Sequence, residues 1–78
     1  MFNFKLVTPE GIKIDQNVDM VIVRTESGDR GILENHRPLV ANVKASTLRY
    51  KVNGQFNEVE IEDGFLKVNK TGTTVVTR

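Results

Sequence analysis

The sequence predicts an all-β fold, an antiparallel β-sandwich of about ten short strands, and three observations support this prediction. Apolar and polar residues alternate with a period of two along most of the chain, which is typical of strands with one buried face. Such segments recur roughly every 8 to 12 residues and are separated by glycine, proline or asparagine turns. No window shows a helical periodicity of useful length. Residues 1–78 therefore form a single β-sandwich domain.

The first two strands are predicted to form a hairpin at the N-terminus. Phe2, Phe4 and Leu6 alternate with polar residues, so they share one face of the first strand. Residues 8–11 (TPEG) have proline second and glycine fourth, as a type I turn prefers. The Ile12–Ile14 segment then returns as a short second strand.

The middle of the chain holds its most apolar segment. Residues 18–23 (VDMVIV) are β-branched at four of six positions, so we expect them at the centre of the core. Residues 26–31 (ESGDRG) contain two glycines and are interpreted as a turn. An exposed loop follows, and residues 40–43 (VANV) form another short strand.

The C-terminal half contains the strongest hairpin pattern of the sequence. Asn53-Gly54 supplies the positive φ angles that both central residues of a type I′ turn need, and it joins residues 47–52 to residues 55–61. In the second arm, Phe56 and Val59 are three residues apart, which predicts a bulge or a shifted register. A turn and strand at 62–68, a turn at 69–72 and a last strand at 73–77 complete the sandwich.

Composition excludes several classes of function. The 11 basic and 10 acidic residues give a net charge of +1, which provides no field of one sign for nucleic acid or an anionic membrane. The absence of cysteine excludes disulfides and thiolate metal sites. No apolar run approaches the ~18 residues of a membrane span, and the N-terminus lacks the pattern of a signal peptide. We therefore expect a soluble chain.

The loop at residues 30–40 (RGILENHRPLV) holds the only histidine, His36. Histidine is the usual general base or metal ligand near neutral pH, but catalysis also requires a nucleophile or further ligands. Without a second histidine or a cysteine, a zinc site would depend on carboxylates, which is unusual. An exposed loop histidine, or one that contacts a partner protein, is the better interpretation.

Clustered carboxylates raise the possibility of a small hydrolase, in which two carboxyl groups face each other across a sugar bond. Glu58, Glu60 and Glu62 alternate with apolar residues, so we expect them on the outward face of one strand. A hydrolase would require two of Asp63, Glu62 and Glu58 to converge in a cleft.

A β-barrel module that binds oligonucleotide or carbohydrate is the alternative that stays open. Stacking of bases requires exposed aromatic side chains on a basic face, yet alternation predicts an inward position for Tyr50. It also predicts inward positions for all four phenylalanines, Phe2, Phe4, Phe56 and Phe65. Gly28 and Gly31 favour a turn over a phosphate site, because no helix N-terminus or lysine follows them.

Several segments in order resemble the N-terminal domain of the epsilon subunit of bacterial F-type ATP synthases, the counterpart of the mitochondrial delta subunit. Residues 4–11 (FKLVTPEG) resemble that family's opening strand and turn, and residues 18–43 resemble its long second block with a Gly-x-x-Gly-Ile turn. DGFLKV at 63–68 and TTVVT at 73–77 resemble its closing segments. The resemblance covers essentially the whole chain.

This resemblance implies a flattened ten-stranded sandwich and a non-catalytic rotor subunit of the central stalk. Such a subunit links the gamma subunit to the membrane c ring and helps couple ion translocation to ATP synthesis, as a peripheral protein on the cytoplasmic face of the membrane. It implies no catalytic residue, cofactor, metal, nucleic acid or inserted lipid. Contact with the ring is expected from the acidic residue of the glycine turn, the loop histidine and their neighbours: Asp29, Arg30, Glu34, Asn35, His36, Arg37 and Pro38.

The chain departs from the family pattern at this contact. Asn35 stands where the family usually has glycine, and asparagine tolerates left-handed conformations, so it is expected to preserve the turn. Arg30 and Arg37 change the chemistry, which predicts a compensating acidic or polar group on the ring. Epsilon subunits commonly continue into a C-terminal hairpin of two helices; here Arg78 follows directly on the last predicted strand, and we expect coupling without inhibition by such a hairpin.

Overall fold

Nine β-strands joined by short turns make up the fold in a computed structural model that describes residues 1–78. The number is close to the ten predicted, and no helix is long and apolar enough to cross a membrane. The strands are β1 (Phe2–Thr8), β2 (Gly11–Val18), β3 (Met20–Thr25), β4 (Gly28–Ile32), β5 (Leu39–Val43), β6 (Ser46–Val52), β7 (Gln55–Ile61), β8 (Gly64–Asn69) and β9 (Gly72–Thr77).

The strands form one sheet that bends sharply between β5 and β3 and so folds into two facing layers; we call this bend the corner. Its order is β2-β1-β9-β8-β5-β3-β6-β7, with β4 paired to β3. At the corner β5 and β3 share a single residue pair, Thr25 with Val43, because the first half of β3 pairs with β6 instead. The ring centroids of Phe4 in β1 and Tyr50 in β6 lie 5.7 Å apart. The first layer (β2, β1, β9, β8, β5) therefore faces the second (β4, β3, β6, β7) across the core.

The core follows from the alternation of apolar residues. Each strand places every second side chain on the inner face, and twelve buried apolar side chains from both layers pack together: Phe4, Leu6, Val18, Val21, Val23, Ile32, Val43, Leu48, Ile61, Leu66, Val68 and Val75. The prediction that residues 18–23 are central to the core is confirmed by Val18, Val21 and Val23, all at most 1% exposed.

One strand pair departs from the predicted antiparallel arrangement. β1 and β9 run parallel, from Phe4 opposite Thr73 to Val7 opposite Val76. The alternation of apolar residues marks which face of a strand is buried but carries no information on strand direction. The parallel pair closes the first layer by bringing the first and last strands of the chain together.

Two turn predictions have opposite outcomes. Asn53 and Gly54 have φ angles of 50° and 83°, which confirms the predicted hairpin turn. The prediction of a turn over residues 26–31 is wrong, because Gly28–Ile32 forms β4 and only Glu26 and Ser27 lie in the turn. The hydroxyl of Thr25 closes this tighter hairpin, since it donates to the Gly28 carbonyl at 2.9 Å and accepts from the Ser27 amide at 3.2 Å.

The inward positions predicted for Phe56 and Phe65 are also wrong, since they are 45% and 46% exposed. The register between β6 and β7 is unbroken, so no bulge turns Phe56 inward, and the guanidinium of Arg49 lies 4.6 Å from its ring centroid. The irregularity occurs instead between β1 and β2, after Leu6. Two exposed aromatic side chains therefore lie on outer faces of the sandwich.

Replacement of Thr73 by valine is expected to stabilise the fold by about 1 kcal/mol. Thr73 is 1% exposed and its hydroxyl has no hydrogen-bond partner, so a methyl group of similar shape removes the cost of a buried, unsatisfied polar atom. Urea denaturation of the chain measures the change. Thr25→Val is the matched control and is expected to destabilise by a similar amount, because the Thr25 hydroxyl makes two hydrogen bonds. A loss of stability in Thr73→Val would contradict the prediction.

Candidate interaction surfaces

An exposed edge runs along β4 and the loop that follows it. β4 pairs only with β3, so the backbone groups on its other side are free, as in any edge strand. Residues 28–38 are exposed apart from buried Ile32 and half-buried His36. We call this segment the β4 ridge; Ile32, which is 0% exposed, anchors it in the core.

All seven residues predicted to contact a ring lie on the β4 ridge, but at two places. Asp29 and Arg30 belong to strand β4, so the expectation that Asp29 lies on a loop is wrong. The Asp29 carboxylate accepts a hydrogen bond from Arg24 Nε at 3.0 Å, across the β3–β4 pair. His36 lies beyond the opposite end of the strand, and the three residue steps from Asp29 to Ile32 alone span ~10 Å. The ridge thus presents two charged groups of residues at its two ends.

The loop at residues 33–38 is shaped by its own hydrogen bonds. Asn35 has a φ of 64°, which confirms the predicted left-handed conformation, and the His36 amide then donates to the Leu33 carbonyl at 3.2 Å. Nδ1 of His36 lies 2.7 Å from the Arg37 carbonyl. A carbonyl only accepts hydrogen bonds, so Nδ1 carries a proton and Nε2 is left for a partner.

The N-terminus is attached to the same loop. The ammonium group of Met1 donates to Glu34 Oε1 at 2.8 Å, and this hydrogen bond is the main reason that the pKa of the ammonium is raised above its usual 8.0. Both groups are exposed, so the ion pair contributes little to stability. Its local effect is to neutralise Glu34.

A groove of about 720 Å³ lies between this loop and the turn that joins β8 to β9. One wall is the loop at residues 33–38 and the other is the turn at residues 69–72, with Asn3 and Asn17 alongside. We call it the loop–turn groove. It brings Lys70, which the sequence analysis did not consider, to the same cavity as His36 and Arg37.

The outer face of the first layer carries a row of apolar side chains. Strand register places Ile12 beside Val7, Val7 beside Val76, and Val76 beside Phe65. Ile12 is 61% exposed and Phe65 46%, whereas both valines are half-buried. We call this row, which crosses four strands, the apolar strip. Contiguous exposed apolar surface of this kind is typical of an interaction site.

The carboxylates considered for a hydrolase do not converge. Glu58 lies on the outer face of the second layer, 3.8 Å from Arg49, and Asp63 accepts a hydrogen bond from the Ala45 amide at 2.7 Å. Glu62 and Asp63 line different cavities. No group of three or more histidine and carboxylate side chains is placed to hold a metal ion.

The exposed aromatic residues do not form a stacking path for bases. Phe56 belongs to β7 in the second layer and Phe65 to β8 in the first, and each lies on its own outer face. Tyr50 is half-buried and packs against Phe4 in the core. A single aromatic ring on each face gives successive bases no continuous surface.

The sequence has known relatives over almost its whole length. Residues 1–78 match the family model described as the beta-sandwich domain of the ATP synthase delta/epsilon chain. The chain is 41% identical over 76 residues to the ATP synthase epsilon chain of Alkaliphilus oremlandii, covering 97% of this chain and 57% of the relative. It is 42% identical over 71 residues to that of Bacillus subtilis, covering 91% and 54%. The chain thus spans just over half the length of these relatives.

Two solved structures share the fold. A chain of the mitochondrial ATP synthase of Euglena gracilis superposes with a TM-score of 0.90 at 23% identity, covering 97% of this chain and 49% of that one. A chain from the central stalk and c-ring structure of the Tetrahymena thermophila mitochondrial enzyme gives 0.81 at 11% identity, covering 97% and 62%. At these identities the comparison supports the fold alone.

Proposed function

The chain belongs to the delta/epsilon β-sandwich family of ATP synthases, and on that premise we propose that it is the sandwich domain of an epsilon-type, non-catalytic subunit of the central stalk. The observation that carries the proposal is the family match over all 78 residues, joined by identities of 41% and 42% to curated epsilon chains. The subunit would connect gamma to the c ring and help couple ion translocation to ATP synthesis. It would lie on the cytoplasmic face of the membrane without entering the lipid.

The apolar strip is the proposed surface for gamma. Burial of the exposed parts of Ile12 and Phe65 removes apolar area from water, which is the main driving force of protein association. Two residues farther along the same strands, Lys5 and Lys67 lie on either side of Thr74 on this outer face. Polar residues therefore border the strip, as they do in stable interfaces. An aromatic side chain within such a patch is a common energetic centre of binding.

The β4 ridge is the proposed surface for the c ring. It belongs to the second layer, whereas the apolar strip lies on the outer face of the first, so both partners can bind at once. Its exposed charges, among them Arg30 and Arg37, suit contact with the polar loops of a membrane ring. Arg30 lies opposite Val23 in the β3–β4 pair but remains exposed, so it is free to meet a partner.

The combined substitution Asp29→Ala with His36→Ala is expected to weaken the hold of the stalk on the ring. Both side chains lie on the ridge, and neither contributes to the core, so the isolated chain should keep its stability within about 0.5 kcal/mol. The measurement is the fraction of c ring that co-purifies with gamma and this subunit from the intact complex at increasing salt.

Glu62→Ala, an exposed carboxylate outside the ridge, is the control and should retain the ring. Unfolding of the isolated double variant would make the two residues structural. Full ring retention by a folded double variant would remove them from the contact.

A further inference from the structure

We propose that the loop–turn groove binds a carboxylate-bearing peptide segment, with Arg37 and Lys70 as its two cationic contacts. The proposal rests on the proposed function, because the segment would belong to the polar loops of the membrane ring. It adds a second hairpin, the β8–β9 turn, to a contact that the family resemblance assigns only to Asp29, Arg30 and residues 34–38.

The groove carries an uncompensated positive charge. Glu34 is the only acidic residue that lines it, and its carboxylate already bonds the Met1 ammonium at 2.8 Å. Arg37 and Lys70 take part in none of the three ion pairs of the chain, and both are exposed. A peptide that carries carboxylates would compensate this charge, and arginine can bind a carboxylate through two parallel hydrogen bonds.

The walls of the groove suit a peptide better than a phosphate group. Phosphate sites in loops are built from several free backbone amides that point at one centre. Here the His36 amide donates to the Leu33 carbonyl, and the Thr71 amide donates to Asn69 Oδ1 at 2.9 Å. The amide side chains of Asn17 and Asn35 also line the groove, and each can both donate to and accept from a peptide backbone.

Both walls are held in place before a partner arrives. A Cβ atom on Gly72 would lie 2.5 Å from the backbone oxygen of Asn3, so the β8–β9 turn is packed directly on β1. Within the turn, the Thr71 hydroxyl donates to Asn69 Oδ1 at 2.6 Å. The opposite wall is shaped by the left-handed Asn35 and by the hydrogen bond from the His36 amide to the Leu33 carbonyl. Preorganised walls reduce the entropy lost on binding.

The test titrates the 15N-labelled chain with an acetylated, amidated hexaglutamate peptide and compares it with hexaglutamine. Glutamate peptide should shift the amide resonances of Arg37, Lys70 and Thr71, and added salt should reverse the shifts. Lys70→Glu is expected to raise the Kd at least tenfold. Lys51→Glu makes the same charge change on the outer face of the second layer and should leave the Kd unchanged.

Four outcomes would overturn the proposal: equal shifts from hexaglutamine, shifts centred away from the groove, Kd unchanged in Lys70→Glu, or tighter binding of phosphatidylglycerol vesicles than of the peptide at the same residues. Failure of the proposed function is a separate result. If the chain binds hexaglutamate as described but does not co-purify with gamma and the c ring, the groove is a peptide-binding site and the assignment to the central stalk is wrong.

Discussion

Replacement of Gly64 by alanine should destabilise the chain by about 3 kcal/mol or more. A Cβ atom at this position would lie 1.9 Å from the backbone oxygen of Val76 and 2.7 Å from the Cα of Thr77. Neither atom belongs to a flexible side chain, so β8 and β9 would have to separate where they pair. Insertion of one methyl group into a packed site costs about 1–3 kcal/mol, and a clash with backbone lies at or above the top of that range. Urea denaturation measures the effect.

Gly31→Ala is the matched control for this prediction. Gly31 lies in β4, where no atom comes within 4 Å of an added Cβ, and its φ is not among the positive values. Alanine there restricts the unfolded chain without strain, which stabilises proteins by about 0.4–1 kcal/mol. Equal stabilities of the two variants would show that the β8–β9 pair accommodates a side chain at Gly64.

Phe65→Glu should release the chain from gamma. Under the proposed function, Phe65 is the aromatic centre of the apolar strip, and a glutamate there would bury a charge against an apolar partner. Loss of an aromatic hot spot costs about 2–4 kcal/mol of binding energy, or roughly a 30- to 700-fold rise in Kd. The measurement is rebinding of the purified chain to ATP synthase depleted of this subunit.

Phe56→Glu provides a control with the same residue type and nearly the same exposure, 45% against 46%. It lies on the outer face of the second layer, beneath the guanidinium of Arg49, so gamma binding should be retained. Similar loss of binding in both variants would exclude a selective role for the apolar strip. Retained binding in Phe65→Glu would place gamma elsewhere on the sandwich.

The sequence predicts the strands well because period-two alternation directly reflects burial on one face of a sheet. It also predicts the Asn53-Gly54 turn and the conformation of Asn35, since positive φ is a local property of few residue types. Phe56 is misplaced because an inward position requires a bulge between Phe56 and Val59, and the register of β6 with β7 is continuous. Its ring is exposed and covered by Arg49 and Lys51, a cross-strand contact that local sequence does not specify.

The candidate surfaces were predictable only in part. The family resemblance predicts contact through Asp29, Arg30 and residues 34–38, and these residues do lie on an exposed ridge, although their contact with a ring stays a prediction. Lys70 was missed because it enters the groove from a hairpin more than thirty residues away in sequence. The sequence does not predict the apolar strip, because two of its members, Val7 and Val76, become neighbours only through the parallel pairing of β1 with β9.

The corner at Thr25 and Val43 has a mechanical consequence under the proposed function. Because gamma would hold the first layer and the ring the second, a turning rotor would load the two layers in opposite directions. A single residue pair joins their hydrogen-bond ladders at that corner, so the backbone resists sliding weakly there. Resistance to shear would then come from the side chains that interdigitate between the layers, such as Phe4 against Tyr50. The stiffness of the central stalk at this subunit would therefore depend on how tightly the core of the sandwich is packed.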